Sequence, residues 1–147
     1  MSQTIGANAF REEEENAAEL KIGDEFLKAK CLMNCEVAIL LEHRCEQLRH
    51  VSEDAMNQVP QVFEKSLQYV KRFSRFSNQE AVKQVREVLS RYGLTEFELS
   101  VLGNFCPENA AEAIAAVPTL KTKGRGLDEE TIQKLLDELA MIKKFQL

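Results

Sequence analysis

The stretch LTEFELSVLGNFCPENAAEAIAAVPTL, residues 94–120, predicts two short helices that meet at Cys106 and Pro107. Thr95, followed three residues later by Glu98, is a capping-box signature, in which the hydroxyl accepts from one free backbone amide and the carboxylate from another. We therefore expect a helix to begin at about Thr95. Its apolar residues recur every three or four positions and form one side that another element must cover. They are Leu94, Phe97, Val101, Leu102 and Phe105.

The second helix is indicated by Pro107 and the alanine-rich residues after it. Proline suits the first position of a helix because its missing amide hydrogen is not needed there, and Glu108 suits the positive end of the helix dipole. The alanines allow neighbouring backbones to approach closely until Pro118 ends the helix. The stretch as a whole predicts a tight helical hairpin inside a compact bundle.

Length and composition favour one all-α domain. A chain of 147 residues can build its own core without disulfides, tryptophan is absent, and strictly alternating β-branched runs are scarce. A net charge of −5 argues against broad attraction to nucleic acid or anionic lipid. No apolar run approaches the roughly 20 residues that cross a bilayer, and the acidic N-terminus is unlike a signal peptide. We expect a soluble intracellular protein that does not contact membranes.

The cysteines do not predict a metal site. Cys31, Cys35 and Cys45 share one side of a predicted helix, but Cys45 lies about 21 Å further along that helix than Cys31. One zinc ion cannot reach all three, and neither a CxxC nor a paired-histidine spacing occurs. We expect buried or half-exposed thiols, no metal and no cofactor.

Four regions follow one another along the chain. Residues 1–18 carry an acidic run, Glu12 to Glu15, and are predicted to be a disordered tail that serves as a solvated segment rather than as a contact for a basic partner. Residues 19–51 are predicted to form an arm and a long helix, residues 52–59 a loop, and residues 60–147 a helical bundle.

In the arm, Leu20, Ile22 and Phe26 are spaced like the residues of a short strand. Such a segment pairs with a sheet edge in another molecule or lies across its own bundle, and the spacing does not separate the two. The long helix, Cys31 to Val51, is apolar almost all round between Val37 and Leu41. One side can pack on the bundle, and the second is open to a partner or to deeper burial.

The helix after Pro60 is strongly amphipathic and is predicted to belong to the core. Its end interleaves cations with aromatic residues, which makes Lys71, Arg72 and Arg75 candidate RNA contacts, since such surfaces stack bases and neutralise phosphates. Alternatively, Phe73 and Phe76 both point into the core while the cations favour the negative end of the helix dipole.

Cap signals divide the rest of the bundle. A capping box from Ser77 to Glu80 predicts the next helix, and Gly93 its end. After a basic loop, residues 121–126, Asp128 is the predicted cap of the last helix. Five bundle helices are therefore expected. No GxSxG or HExxH motif occurs, and the carboxylates suit caps and helix surfaces, so we predict that the protein is not an enzyme.

Four segments, in this order and at these separations, resemble the fourth-subunit family of eukaryotic RNA polymerase II. The likeness runs from about Leu20 to Phe145, and the pattern of the third segment is the most specific. The segments are CEVAILLEHR, RFSRF, LTEFELSVLGNFCPENAAEAIAAVPTL and DEETIQKLLDEL. Gly103 and Phe105 are mild departures from what we expect of the family.

The resemblance implies an HRDC-like bundle in a non-catalytic nuclear subunit, which pairs with subunit seven to form the stalk on the polymerase core enzyme. It favours a partner for both the arm and the long helix, and it leaves open which nuclear polymerase the chain joins. Contact with nascent RNA is expected to be indirect or weak, because it falls to subunit seven. The candidate partner-binding residues are Leu20, Ile22, Phe26, Leu32, Met33, Val37, Leu40 and Leu41.

A second hypothesis is an independent helical module that binds nucleic acid. It is motivated by the cations at residues 71–76 and 121–125, and phosphate binding of this kind must weaken steeply with salt.

Overall fold

The computed structural model describes residue 16 and residues 23–26, 28–122 and 124–146. Within them, seven α-helices occur together with two 3₁₀ turns, Asp24–Phe26 and Pro118–Lys121. The helices are α1 (Asn34–Val51), α2 (Glu53–Asn57), α3 (Gln61–Phe73), α4 (Gln79–Ser90), α5 (Glu96–Phe105), α6 (Ala110–Ala116) and α7 (Glu129–Phe145). No strand occurs among the described residues, and the all-α prediction is confirmed.

The core lies among helices α4 to α7 and takes in the residues just before and at the start of α1. Helix α7 packs against α4 and α6, and α4 packs against α5. Large side chains with almost no exposed surface fill the space between them. They are Met33, Phe76, Val85, Leu89, Leu102, Val117, Leu120, Ile132, Leu135 and Leu139.

Two of the predicted caps are confirmed, whereas α4 and α6 begin elsewhere than predicted. Thr95 and Glu98 form the capping box of α5, and Asp128 accepts from the Thr131 N–H at 2.7 Å to cap α7. Helix α4 is capped by the Asn78 side chain and not by Ser77. Helix α6 begins at Ala110, because the Asn109 side chain accepts from the Glu112 N–H at 2.9 Å.

Three further predictions need correction. Pro107 precedes α6 instead of occupying its first position, since Cys106 ends α5 in the left-handed region with φ 48°. Helix α1 begins at Asn34, three residues later than Cys31, and α2 occupies most of the predicted loop at residues 52–59.

Phe26 does not lie on a strand. Gly23 has φ 105°, and the Phe26 N–H donates to the Gly23 carbonyl at 3.1 Å, which closes a 3₁₀ turn. Leu20 and Ile22, the other two residues of the predicted arm, lie outside the described residues.

Helix α3 is not the core helix that its amphipathic sequence predicts. Its main neighbour is α1, and Val70 is its one buried residue. Phe63 and Leu67 are half-buried, whereas Val62 and Tyr69 are 75% and 58% exposed. Periodicity correctly predicted an apolar side, but a single neighbouring helix covers only part of it.

Candidate partner-binding surface

The residues just before α1 are fastened to the bundle by Arg86 of α4. Its guanidinium donates to both carboxylate oxygens of Glu36, at 2.6 and 2.9 Å, and to Glu96 at 3.3 Å. It also donates to the Cys31 carbonyl at 2.7 Å, and the Cys31 N–H donates to Glu96 at 3.2 Å. Arg86 therefore links the entry to α1 with α4 and α5, and its pKa is raised by the hydrogen bonds to Glu36.

Two more contacts hold the same segment. The Asn34 N–H donates to the Asn104 side chain at 2.8 Å, and the Met33 N–H donates to Glu36 at 2.9 Å. The Met33 side chain is fully buried and lies against Gly103. The start of α1 is thus part of the bundle.

Beyond this anchor, α1 and α4 border a cleft of about 460 Å³. Leu32 and Leu40 line this cleft and are 48% and 56% exposed. Ile39 and Val82 continue its apolar lining, and Lys83 is one of the charged residues at its edge. Large apolar side chains with this much free surface can contact another protein.

The predicted partner-binding residues are not all available for contact. Phe26 is 47% exposed and joins Leu32 and Leu40 as a surface residue, whereas Val37 and Leu41 are half-buried. Met33 has to be removed from the predicted surface, because it has no exposed area and belongs to the chain's own core.

Sequence reasoning missed an apolar stripe on α3. Val62, Tyr69 and Phe73 are seven and four residues apart, so they lie on the same side of the helix, and each is about half or more exposed. The half-buried Phe63 and Leu67 lie on the side toward Val70 instead. The sequence of α3 contains two apolar stripes, and the prediction treated both as one side that faces the core.

The predicted RNA contacts have different surroundings. Lys71 pairs with Glu42 of α1 at 2.9 Å, and Arg72 lies 5.7 Å from the centre of the Phe73 ring. Arg75 is exposed, and its carbonyl accepts from Gln146 at 3.0 Å. The alternative prediction placed both Phe73 and Phe76 in the core. It is correct for Phe76, which is 1% exposed, and wrong for Phe73, which is 48% exposed.

Arg125, the arginine of the basic loop, forms a buried ion pair. Arg125 donates to the two carboxylate oxygens of Glu98 at 2.6 and 2.7 Å, and the Thr119 hydroxyl donates to the same carboxylate at 2.6 Å. Burial alone would raise the pKa of Glu98, but the hydrogen bonds from Arg125, Thr119 and the Thr95 N–H outweigh burial and lower this pKa to about 2. Arg125 is therefore a structural residue.

Two of the four thiols are harder to ionise than an ordinary cysteine. Burial, together with the nearby Glu36 carboxylate, raises the pKa of Cys35 to about 11, and burial raises the pKa of Cys106. All four cysteines are free. In the described part of the chain, no three His, Cys, Asp or Glu side chains gather as a possible metal site. Of the helices assigned there, none has the length and apolar character needed to span a membrane.

Comparison with known proteins gives a consistent family. Residues 31–143 match the family model described as RNA polymerase Rpb4. The chain is 71% identical over 135 residues to DNA-directed RNA polymerase II subunit 4 of Arabidopsis thaliana, covering 92% of this chain and 98% of the relative.

More distant relatives agree. Identity is 38% over 147 residues with DNA-directed RNA polymerase II subunit rpb4 of Dictyostelium discoideum, covering 91% of this chain and 92% of the relative. It is 34% over 116 residues with DNA-directed RNA polymerases IV and V subunit 4 of Arabidopsis thaliana. That match covers 79% of this chain and 56% of the relative. The chain belongs to the RNA polymerase Rpb4 family.

Proposed function

We propose that the chain is a non-catalytic subunit of RNA polymerase II in the nucleus. In this proposal it forms the stalk as a heterodimer with subunit seven, joins the core enzyme through that stalk, and supports transcription initiation and the handling of nascent RNA. The support for the polymerase is the near full-length similarity to relatives named as subunit 4 of RNA polymerase II. Polymerase II is favoured over polymerases IV and V because identity is 71% with the first and 34% with the others.

The proposed heterodimer is supported by the position of the exposed apolar side chains. Of ten large apolar residues that are exposed in the described part of the chain, seven precede residue 74: Phe26, Leu32, Leu40, Val51, Val62, Tyr69 and Phe73. They belong to the segment before α1 and to helices α1 and α3. Apolar surface concentrated in this way is characteristic of a protein that binds another protein.

The bundle and the N-terminal segments have different roles in the proposal. Helices α4 to α7 form the bundle together with the entry to α1, which Arg86 and Met33 fix, and the remainder of residues 19–51 reaches the partner. Helix α3 adds its exposed stripe to the surface offered by α1. An obligate interface buries about 2,000 Å² or more in total, which α1, α3 and the segment before α1 can contribute together. Apart from residue 16, the predicted acidic tail at residues 1–18 lies outside the described residues, and the proposal assigns it no contact.

The test replaces apolar surface residues by charge. Leu32→Asp together with Leu40→Asp should reduce the affinity for subunit seven by at least about a hundredfold, since two desolvated apolar contacts are lost and two charges enter the interface. Both side chains are about half exposed in the free chain, so its helical circular dichroism should be retained.

The matched control is Phe145→Asp, which changes a 65% exposed aromatic residue at the far end of α7. It should leave the affinity for subunit seven unchanged. Equal binding by the control and by the Leu32/Leu40 variant would refute the proposed interface.

Direct binding of single-stranded RNA is a second candidate function, favoured by one observation. Tyr69 and Phe73 have ring centres 4.7 Å apart, both are exposed, and Arg72 lies over the second ring. Such a platform can stack bases. If it binds RNA, the affinity of the isolated chain should fall steeply with salt and should fall again in Tyr69→Ser with Phe73→Ser. No binding at low salt would eliminate this function.

A further inference from the structure

Helices α4 and α7 border a second groove, on a side of α4 that does not face α1. Two cavities of about 390 and 500 Å³ adjoin there and share Gln84, Met141 and Ile142. The first connects the start of α4 with the end of α7, and the second connects the end of α4 with the middle of α7. Together they make one groove from Lys134 to Gln146, which spans about 18 Å, or three helical turns.

The groove has an apolar floor and a fixed end. Met141 and Phe145 are 55% and 65% exposed there. The Gln146 side chain accepts from the Ser77 N–H at 2.9 Å and donates to the Arg75 carbonyl at 3.0 Å, so the end of α7 is held against the residues before α4. The floor is therefore a preformed surface.

The edges of the groove are more acidic than basic. The groove is lined by four carboxylates and two cations. The carboxylates are Glu80, Glu87, Asp137 and Glu138, and the cations are Arg91 and Lys134. Arg91 lies 3.9 Å from Glu138, whereas Glu80 and Glu87 have no ion pair within the described residues. Of the lining groups without an ion pair within the described residues, Glu80, Glu87 and Asp137 are negative and Lys134 is positive. The balance at the edges is therefore negative, and it complements an occupant that carries cations.

We propose that this groove binds a basic amphipathic helix of a third protein. The helix would place apolar residues at i, i+3 or i+4, and i+7 on Met141 and Phe145, with lysines or arginines beside Glu80 and Glu87. The acidic run of this chain, Glu12 to Glu15, has the wrong charge for such a role.

The groove lies on a different side of α4 from the cleft beside α1. The side of α4 that carries Gln84 and Val88 lines the groove together with Arg91, just after the helix, whereas Val82 and Arg86 line the cleft beside α1. Glu87 reaches both. A third protein can therefore bind α4 and α7 without displacing a partner from α1, and the inference does not depend on which protein covers α1.

The experiment titrates the full-length, isotope-labelled chain with a synthetic 14-residue probe helix. The probe carries leucines at i, i+3, i+7 and i+11 with lysines beside them, and a second probe carries glutamates in place of the lysines. The lysine probe should bind saturably and shift the amide signals of Gln84, Met141, Ile142 and Phe145, while the glutamate probe should bind at least about tenfold more weakly.

Two pairs of variants locate the binding. Glu80→Gln with Glu87→Gln should weaken the lysine probe at least about fivefold, because the proposed charge contacts are lost. Glu53→Gln with Glu64→Gln makes the same change of net charge on exposed residues of α2 and α3 and should have no effect.

Three results would overturn the inference. They are equal binding of the two probes, signal shifts confined to Leu40 or Tyr69 instead of the groove, and occupation of the groove by a second copy of the chain, seen as a doubled mass in sedimentation.

Discussion

Met33 fills a space that exists only because residue 103 is glycine. A Cβ atom placed on Gly103 would lie 2.1 Å from the Met33 sulfur and 3.0 Å from its Cγ, far inside van der Waals contact. Met33 has no exposed surface, so its side chain cannot swing into solvent without opening the core. A glycine inside α5 costs about 1 kcal/mol relative to alanine, and the close approach of the segment before α1 explains why it is there.

Gly103→Ala should lower the free energy of unfolding by about 1 kcal/mol. Overpacking a core costs roughly 1–3 kcal/mol, which exceeds the gain of about 1 kcal/mol from helix propensity. Chemical denaturation measures the change. Met33→Ala removes the clashing atoms, so adding Gly103→Ala to it should no longer lower the free energy of unfolding and should raise it by up to about 1 kcal/mol. Additive losses in the double variant would contradict the contact.

The buried pair of Glu98 and Arg125 should make stability depend on acidity. The pKa of Glu98 is lowered from 4.5 to about 2 in the folded chain, so the unfolded chain takes up the proton first as the pH falls. The pair's contribution is complete above about pH 4.5 and is lost as the pH falls toward 2. Because the Glu98 side chain is only 1% exposed, that contribution is on the order of 3 kcal/mol.

Glu98→Gln should therefore be strongly destabilising at neutral pH, and its deficit relative to the unsubstituted chain should narrow between pH 4.5 and pH 2. Free energies of unfolding from urea titrations at several pH values measure this difference. Glu64→Gln, at an exposed position on α3, serves as the control with a small and nearly constant difference. A deficit of Glu98→Gln that stays constant over this pH range would show that the pair is not ionised as described.

Arg86→Met should loosen the entry to α1 more than the bundle. The side chain is 24% exposed and makes charged hydrogen bonds to Glu36, Glu96 and the Cys31 carbonyl, and bonds to charged groups contribute roughly 1.5–3 kcal/mol each. Amide exchange at residues 31–34 should speed up at least about tenfold, whereas exchange in α7 should change less.

The control for this change is Arg91→Met just after the end of the same helix, where the arginine is 66% exposed and 3.9 Å from Glu138. Exposed pairs of this kind contribute little, so exchange at residues 31–34 should be unaffected. Equal acceleration in both variants would mean that Arg86 does not anchor this segment.

Much of the fold followed from local signals. The capping box at Thr95, the Asp128 cap and the five helices between residues 61 and 145 depend on neighbours within a few positions, which a sequence displays directly. The start of α4 was misplaced by one residue because Ser77 and Asn78 are both good caps and only the geometry selects between them.

Contacts between distant residues could not be predicted in the same way. Arg86 meets Glu36 across 50 positions, and Arg125 meets Glu98 across 27. Periodicity states that a helix has an apolar side and not which neighbour covers it. Hence α3 was assigned to the core, and Met33 was assigned to the partner surface although it packs against Gly103.

Helix α3 should be the least stable long helix of the free chain. It has one buried residue, Val70, and its main neighbour is α1, while α4 has five buried residues. Native-state amide exchange should therefore report a lower opening free energy for α3 than for α4, by about 2 kcal/mol or more. Equal protection of the two helices would contradict the placement of α3 outside the core, against α1.

The central claim is that the surface of α1 and α3 is completed by subunit seven. Amide exchange of the full chain, measured free and in the heterodimer, tests it most directly. We predict that protection rises by at least about tenfold in α1 and α3 and stays the same in α7. Protection that rises only in α7, or nowhere in α1 and α3, would contradict the account.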